Sequence, residues 1–196
     1  MDENIQLEVP EEYIRLEAPF DAETARTLKA GQQVLLTGVI FGARDQAYRR
    51  FAEALDRGQD LPVDLRGQVI YCVGPTPARP GMIIGSAGPT TAGRMDAFTP
   101  RLLDYGVLGI MGKGNPGPEV IAAIRQNGAV YLAATGGAGA LLARSIKEAQ
   151  KVAYQDLGTE AVWRFVVEDF PVTVAIDSRG RNLYKIGPAG YRKVAG

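Results

Sequence analysis

Residues 107–133, VLGIMGKGNPGPEVIAAIRQNGAVYLA, decide the fold class of this 196-residue chain. Two short apolar runs, 107–111 and 129–133, are typical of buried strands. Between them, Pro118 suits the first turn of a helix, which we predict to extend to Gln126. Short strands that alternate with helices are typical of the α/β class, so we predict that fold class here.

Apolar patterns outside this segment predict further strands and helices. Strands are predicted at 5–17 (one or two half-exposed strands), 33–41, 68–73 and 82–84, with two or three more between Ala161 and Tyr184. Helices are predicted from Asp21 to Gly31, from Arg44 to Arg57, from Met95 to Tyr105 with a restart near Thr99–Pro100, and from Gly139 to Gln150. Because both ends of the chain are rich in strands, we predict a mixed sheet in a single domain over residues 1–196.

The charge balance argues against two large classes of partner. The chain carries 22 basic and 22 acidic residues, so it lacks the excess positive charge that binds nucleic acids and anionic membranes. No run approaches the roughly 18 apolar residues that a membrane span needs. The acidic start of the chain lacks signal-peptide features, and one cysteine excludes an internal disulfide. We therefore predict a cytoplasmic protein that binds neither nucleic acid nor membrane.

Two absences limit the chemistry that this chain performs alone. It has no histidine, which is the usual general base near neutral pH and a common zinc ligand. Cys72 is its single cysteine, whereas an iron–sulfur cluster normally takes four thiolates. If the chain serves an enzyme that needs a metal, we expect the metal to lie on another polypeptide. Cys72 itself lies in an apolar run and is predicted to be a buried small hydrophobic residue.

The segment 85–96, GSAGPTTAGRMD, contains nine small or ring-locked residues and then an arginine. Glycine allows the backbone to approach a ligand closely, and successive free N–H groups in such a loop form an anion-binding concavity. Arg94 adds a planar fork that suits a carboxylate or a phosphate. The segment is therefore predicted to hold a small anion, with an ordinary surface loop as the alternative.

Two further cations stand at predicted strand ends. Arg44 follows the apolar run 33–41 at the start of a helix, and Lys113 lies between two glycines after the run 107–111. Ligands of open α/β sheets bind beyond the carboxyl ends of the strands. By itself Arg44 is more typical of a surface residue, but together with Arg94 and Lys113 it predicts a site for a dianion.

A second glycine-rich turn, Gly136–Ala140, precedes a predicted helix and raises the alternative of a nucleotide site. The glycine spacing of a dinucleotide motif is absent, and neither Gly-Lys-Ser nor Gly-Lys-Thr follows. No acidic residue stands where a ribose would need one. Close packing of the helix on a strand explains this turn better than a nucleotide does.

The segment 85–96 resembles the signature of the class I fumarate hydratase and L-tartrate dehydratase family, in its beta-type, C-terminal part. Further segments are similar to that family in order and spacing, namely Gly38–Asp45, Val69–Pro75, Gly109–Gly114 and Glu168–Pro171. The resemblance extends over residues 5 to 187, nearly the whole chain. One departure is Tyr48, where many relatives have a histidine.

The resemblance implies a swivelling β/β/α domain that closes over a partner, either an alpha subunit or an N-terminal domain. In the family, three cysteines of that partner hold a [4Fe–4S] cluster whose open iron binds the substrate as a Lewis acid. The resemblance therefore implies a hetero-oligomer in which this chain binds no cofactor alone. The single cysteine and the missing histidines agree with this expectation.

The resemblance also implies roles for particular residues toward a C4-dicarboxylate substrate. Arg44, Arg94 and Lys113 are the implied ligands of its carboxylates, and Thr90 is the implied base at the reacting carbon. Thr91 is a further candidate for substrate binding. The implied reaction is the reversible hydration of fumarate to L-malate. Two alternatives remain open: dehydration of L-tartrate to oxaloacetate, and a non-catalytic module for small-anion binding or assembly.

Overall fold

A computed structural model describes residues 13–189, in which we find seven strands and six α-helices. The strands are β1 (Tyr13–Ala18), β2 (Gln33–Ala43), β3 (Val69–Cys72), β4 (Gly109–Gly112), β5 (Val130–Ala133), β6 (Ile146–Ala153) and β7 (Val162–Ile176). The helices are α1 (Ala22–Thr27), α2 (Asp45–Asp56), α3 (Thr99–Tyr105), α4 (Pro118–Asn127), α5 (Gly139–Leu142) and α6 (Leu183–Ala189). Short 3₁₀ turns lie at Ala92–Arg94, Ala143–Ser145 and Gln155–Glu160.

The strands form one mixed sheet, as the sequence predicts. Strands β1 to β5 pair in parallel with their neighbours, whereas β7 is antiparallel to β2, β5 and β6. Thr173 of β7 pairs with Gln33 on one side and with Ala133 on the other. Strands β2, β3, β4, β5 and β7 therefore close into a ring. This confirms an α/β fold with a mixed sheet, while the swivelling type and the single domain over 1–196 stay predictions.

Alternation along the strands separates two hydrophobic cores. Within β3, Val69 and Tyr71 belong to the core inside the ring, whereas Ile70 and Cys72 belong to the core under the helices. The inner core takes buried residues from all ring strands, including Ile40, Tyr71, Met111, Leu132 and Phe165. The outer core packs α2, α3 and α4 against the sheet, through residues such as Tyr48, Phe51, Leu102 and Ile124. Each such large side chain contributes about 1.5–3 kcal/mol through burial.

Local signals in the sequence set the ends of several helices. The Thr24 N–H donates to Asp21 Oδ1 at 2.8 Å, which confirms the predicted N-cap of α1. α3 begins at the predicted restart with Pro100 in its first turn, and Gly106 ends it with a φ of 116°. In the described part of the chain, no helix has the length and apolar character that a membrane crossing requires.

The strand predicted at 82–84 is wrong. Met82 and Ile83 are more than half exposed, and only Ile84 is buried. The segment folds back on the preceding proline-rich turn, where the Gly85 N–H donates to the Thr76 carbonyl at 3.1 Å. Prolines in that turn have no N–H to donate, so the pairing does not extend into a ladder.

The helix predicted from Gly139 to Gln150 is wrong after its first turn. Helix α5 ends at Leu142, and β6 begins only four residues later, at Ile146. The sequence of β6, IKEAQKVA, is rich in helix formers, but β6 pairs antiparallel with β7. Pairing with a distant strand therefore overrides the local helix propensity.

The end of the chain also differs from its prediction. One long strand, β7, takes the place of two or three strands between 161 and 184, and Tyr184 lies in α6. The predicted turn at 178–180 is confirmed, since the Gly180 N–H donates to the Asp177 carbonyl at 2.8 Å. Of the strands predicted at 5–17, β1 accounts for the part from Tyr13 onward, and the remainder lies outside the described residues.

Candidate active site

The ends of the parallel strands bring the predicted cations to one edge of the sheet. Strands β2, β3 and β4 are parallel neighbours, so their carboxyl ends lie at the same edge. Arg44 follows β2 directly, and Lys113 follows β4 directly. Strand β3 lies between them and continues into Val73 and Gly74.

The glycine-rich segment 85–96 crosses this edge and joins the sheet between β3 and β4. The Thr90 N–H donates to the Cys72 carbonyl at 2.7 Å, and the Lys113 N–H donates to the Thr90 carbonyl at 3.2 Å. The Ala92 N–H then donates to the Lys113 carbonyl at 2.8 Å. Thr91 forms a parallel bridge with Lys113, so the two threonines are fixed beside this lysine by the backbone.

Small residues in this segment also allow close packing beneath it. The Tyr71 hydroxyl donates to the Ala87 carbonyl at 2.6 Å, and the Ala87 N–H donates to the Gly139 carbonyl at 3.0 Å. A Cβ atom on Gly139 would lie only 2.8 Å from the Gly88 nitrogen. The two glycine-rich turns of the sequence therefore contact each other through their backbones, so the glycine at 139 packs against another turn rather than between a helix and a strand.

Arg94 lies in the 3₁₀ turn after the threonines and directs its Nε atom to Asp45. The distance from Arg94 Nε to Asp45 Oδ1 is 2.9 Å. The Arg94 side chain is 53% exposed, whereas that of Asp45 is 19% exposed. Within residues 13–189, no second carboxylate lies within 4.0 Å of the Arg94 guanidinium. Asp45 therefore fixes one donor of Arg94 and leaves its terminal nitrogens available to a ligand.

Arg44 lies deeper and is held by two carboxylates. Its Nη2 atom donates to Glu160 Oε1 at 3.1 Å, and its Nε atom lies 3.7 Å from Asp45 Oδ2. The guanidinium lies against Gly74, where a Cβ atom would come within 2.5 Å of Nε. Arg44 Nε and Asp45 Oδ2 are both buried without a hydrogen bond to the described residues. The structure thus pairs this predicted substrate ligand with carboxylates of the same chain.

Lys113 differs from the two arginines because it has no acidic partner in the region that the structure describes. Its side chain is exposed, and within residues 13–189 no carboxylate oxygen lies within 4.0 Å of its Nζ atom. The stem of the side chain runs past Gly136, where a Cβ atom would lie 3.3 Å from Cδ. Gly136 therefore leaves space for the Lys113 side chain at this edge, as Gly74 does for Arg44. The Lys113 ammonium group is available to an anion.

The two threonines differ in exposure and therefore in the chemistry open to them. Thr90 is 8% exposed and Thr91 is exposed. The backbone N–H and carbonyl of Thr90 are hydrogen-bonded to Cys72 and Lys113. These bonds fix the position of the Thr90 backbone and therefore of its Cβ atom. The structure thus brings the five predicted site residues to one edge, with Thr90 buried and Thr91 open to solvent.

Sequence reasoning missed the two carboxylates that hold the arginines. Asp45 follows Arg44 directly, so the Arg-Asp pair itself was a signal. Glu160 lies 116 residues from Arg44 and has no local pattern that connects them. Glu160 Oε2 also accepts from the Gln46 N–H at 3.1 Å, at the start of α2. One carboxylate thus satisfies a free N–H of this helix and orients Arg44.

The described residues do not fit an iron–sulfur cluster. No group of three histidine, cysteine, aspartate or glutamate side chains in residues 13–189 is placed to hold a metal ion. Cys72 is buried, as the sequence predicts, and its Sγ atom lies 3.4 Å from the Tyr48 hydroxyl. Burial raises the pKa of the Cys72 thiol to about 12. Cys72, the only cysteine of the chain, is therefore held as a protonated, buried thiol near neutral pH.

Cys72 is expected to resist alkylation in the native protein. At pH 8, iodoacetamide should react at least about 100-fold more slowly with the native chain than with the chain unfolded in urea, because the buried thiol stays protonated. Mass spectrometry of timed samples measures both rates. Equal rates in the two samples would contradict the buried position of Cys72.

The fold is α/β with a mixed sheet, and three cations and two threonines lie at one edge of that sheet. Residues 2–187 match the family model described as Fumarase C-terminus, and the chain therefore belongs to this family. This confirms the resemblance found in the sequence.

Individual relatives agree with this assignment. The chain is 41% identical over 152 residues to "Fumarate hydratase class I, anaerobic" of Escherichia coli, a match covering 76% of this chain and 28% of the relative. It is 40% identical over 156 residues to "Fumarate hydratase 2" of Leishmania major, with 79% of this chain and 28% of the relative covered. It is 39% identical over 166 residues to "Putative L(+)-tartrate dehydratase subunit beta" of Methanocaldococcus jannaschii, with 82% of this chain and 85% of the relative covered.

The share of the relative that this chain covers differs between the two kinds of relative. The chain spans 28% of the length of the two fumarate hydratases. In contrast, it spans 85% of the relative that is named as a beta subunit.

Proposed function

We propose that this chain is the beta-type part of a hydro-lyase that reversibly hydrates fumarate to L-malate. The observation that carries the proposal is the group of cations and threonines at one sheet edge, in a chain of the Fumarase C-terminus family. Fumarate and malate each carry two carboxylates, and Arg94 and Lys113 have donors available for them. Arg44 adds positive charge at the same edge, although Glu160 and Asp45 already contact it.

Thr90 is the proposed acid–base group of this chain. In the dehydration direction, its deprotonated oxygen takes the proton from the carbon next to the one that loses hydroxide. In the hydration direction, the hydroxyl returns a proton to that carbon. A threonine hydroxyl is a weak base, and the nearby cations favour its negatively charged form electrostatically. Thr90 is 8% exposed, and burial alone opposes ionisation of its hydroxyl, so the proposed base depends on the positive charge of the nearby cations.

A second polypeptide completes the proposed enzyme. The resemblance assigns the [4Fe–4S] cluster to an alpha subunit, and we propose that such a subunit binds this chain in a hetero-oligomer. Two findings support this division. The described residues offer no thiolate set for a cluster, and the chain matches a relative named as a beta subunit over 85% of its length.

L-Tartrate is the second candidate substrate. The observation that favours it is the 39% identity to the putative tartrate dehydratase beta subunit, of which the chain covers 85%. Tartrate is also a C4-dicarboxylate, so the same arginines and lysine suit its two carboxylates. The site residues therefore do not distinguish fumarate from tartrate, and an activity assay of the assembled enzyme does.

The test is an anaerobic assay of this chain alone, of its alpha-type partner alone, and of the two mixed. We expect turnover only in the mixture, with fumarate consumed and malate formed. Oxaloacetate formed from tartrate, with fumarate left unchanged, would favour the second candidate. A stable complex that transforms neither substrate would contradict catalysis and favour the assembly module.

A substitution at Gly74 tests the role of Arg44 without replacing the arginine itself. Replacing Gly74 with alanine is expected to raise KM for the dicarboxylate about tenfold, because the new methyl group would displace the Arg44 guanidinium. The matched control is Gly187→Ala, whose new Cβ atom would meet only the Leu183 side chain at 3.9 Å. Steady-state kinetics of the assembled enzyme give both values, and an unchanged KM in Gly74→Ala would separate Arg44 from substrate binding.

A further inference from the structure

Asp45 lies between two of the three cations at the site. Its Oδ1 atom accepts from Arg94 Nε at 2.9 Å, and its Oδ2 atom lies 3.7 Å from Arg44 Nε. The Asp45 side chain is 19% exposed, and its Oδ2 atom is buried without a hydrogen bond to the described residues. A single enclosed carboxylate therefore contacts an arginine that follows β2 and an arginine of the segment 85–96.

Apart from Asp45, the two arginines differ in how many contacts hold their guanidinium groups in place. Arg44 also donates to Glu160 and lies against Gly74, so two contacts besides Asp45 restrict its guanidinium. Arg94 is 53% exposed, and in residues 13–189 its side chain has no acidic partner except Asp45. A free arginine side chain samples many rotamers, and ordering them on ligand binding costs free energy. The loss of Asp45 is therefore expected to act mainly on Arg94.

Asp45 contacts Arg94 at Nε and leaves the two terminal nitrogens of the guanidinium free. Asp45 uses Nε, and a carboxylate ligand can still be bound by the two terminal nitrogens. The negative charge of Asp45 also offsets the repulsion between two arginines that approach the same carboxylate. The arrangement thus prepares Arg94 for a ligand before the ligand arrives.

From this geometry we infer that Asp45 is a positioning residue: it orients Arg94, and to a lesser extent Arg44, for binding of the substrate's carboxylates. The inference rests on the proposed function, because it assigns these arginines to a dicarboxylate. Asp45 itself does not touch the substrate. Another role of Asp45 is electrostatic, since it lies in the first turn of α2, where a carboxylate stabilises the helix.

The test separates these two roles by kinetics of the enzyme assembled from this chain and its alpha-type partner. Asp45→Ala is expected to raise KM for the dicarboxylate and the inhibition constant of succinate about tenfold, with a smaller change in kcat. Asp45→Asn keeps an acceptor oxygen for Arg94 and should recover part of this loss. The matched control is Asp56→Asn, which removes another aspartate of α2 that pairs with an arginine, Arg101, at 3.0 Å. It should leave both constants unchanged.

A double-mutant cycle shows whether Asp45 acts through Arg94. In the Arg94→Ala background, the effect of Asp45→Ala on kcat/KM should shrink to less than about threefold, because the group that Asp45 orients is gone. An equal loss in both backgrounds would overturn the inference. So would normal KM and succinate inhibition in Asp45→Ala, and a lowered melting temperature would then identify a helix-stabilising role only. A wild-type complex that neither turns over a C4-dicarboxylate nor binds succinate would overturn the proposed function, and this inference with it.

Discussion

Replacing Arg94 with alanine is expected to lower kcat/KM of the assembled enzyme about 10²- to 10³-fold. The change removes a charged donor from the proposed site, and losses of about 3–4 kcal/mol are typical when such a donor stabilises negative charge during the reaction. The free energy of unfolding should change by less than about 1 kcal/mol, because exposed ion pairs contribute little to stability. Arg94 is 53% exposed, which places it in that class.

Arg101→Ala is the matched control for this prediction. Arg101 is also an exposed arginine with an aspartate partner, Asp56, at 3.0 Å, but it lies on α3 rather than at the site edge. Its removal should leave kcat/KM unchanged. Steady-state kinetics and thermal unfolding of both variants give the comparison. Normal turnover in Arg94→Ala would remove Arg94 from the site.

Replacing Thr90 with valine is expected to lower kcat about 10²- to 10⁴-fold with little change in KM. Valine keeps the shape of the side chain and removes the hydroxyl that we propose to carry the proton, and general acid–base groups contribute rate factors of this size. The backbone bonds from Thr90 to Cys72 and Lys113 do not depend on the side chain, so the segment keeps its position. Thr90→Ser keeps the hydroxyl and should retain most of the activity.

Thr91→Val distinguishes the two neighbouring hydroxyls. Thr91 is exposed and forms the bridge to Lys113 through its backbone, so we expect its side chain to affect KM more than kcat. If Thr91→Val loses kcat and Thr90→Val does not, the base is Thr91 and the assignment of Thr90 is contradicted. Rapid-mixing measurements of proton exchange at the substrate carbon provide the same comparison without relying on overall turnover.

The parts of the fold that were predictable from the sequence have local causes. Asp21 caps α1 through its own side chain, and Gly106 ends α3 because a residue with positive φ is needed there. Strand β2 was predictable because two apolar runs, 34–36 and 39–41, make up most of it. These signals lie within a few residues of the feature that they specify.

The parts that were not predictable depend on distant segments. Strand β6 consists largely of helix formers, and its pairing with β7, for example Gln150 beside Arg164, makes it a strand. The site shows the same limit. Arg44 and Lys113 were predictable because they follow apolar runs, but Glu160 reaches Arg44 from 116 residues away. That contact occupies Nη2 of Arg44, which is then not free to bind a substrate carboxylate, and no local sequence pattern indicates it.

The central claim is that the cations at this sheet edge bind the substrate's carboxylates, and a structure of the assembled enzyme with succinate tests it most directly. Succinate has the two carboxylates of fumarate and no double bond to hydrate, so it stays intact in the site. We predict that Arg94 and Lys113 each lie within hydrogen-bond distance of a succinate carboxylate, with Thr90 beside a central carbon. Succinate bound away from this edge, with Arg94 still directed only to Asp45, would contradict the account.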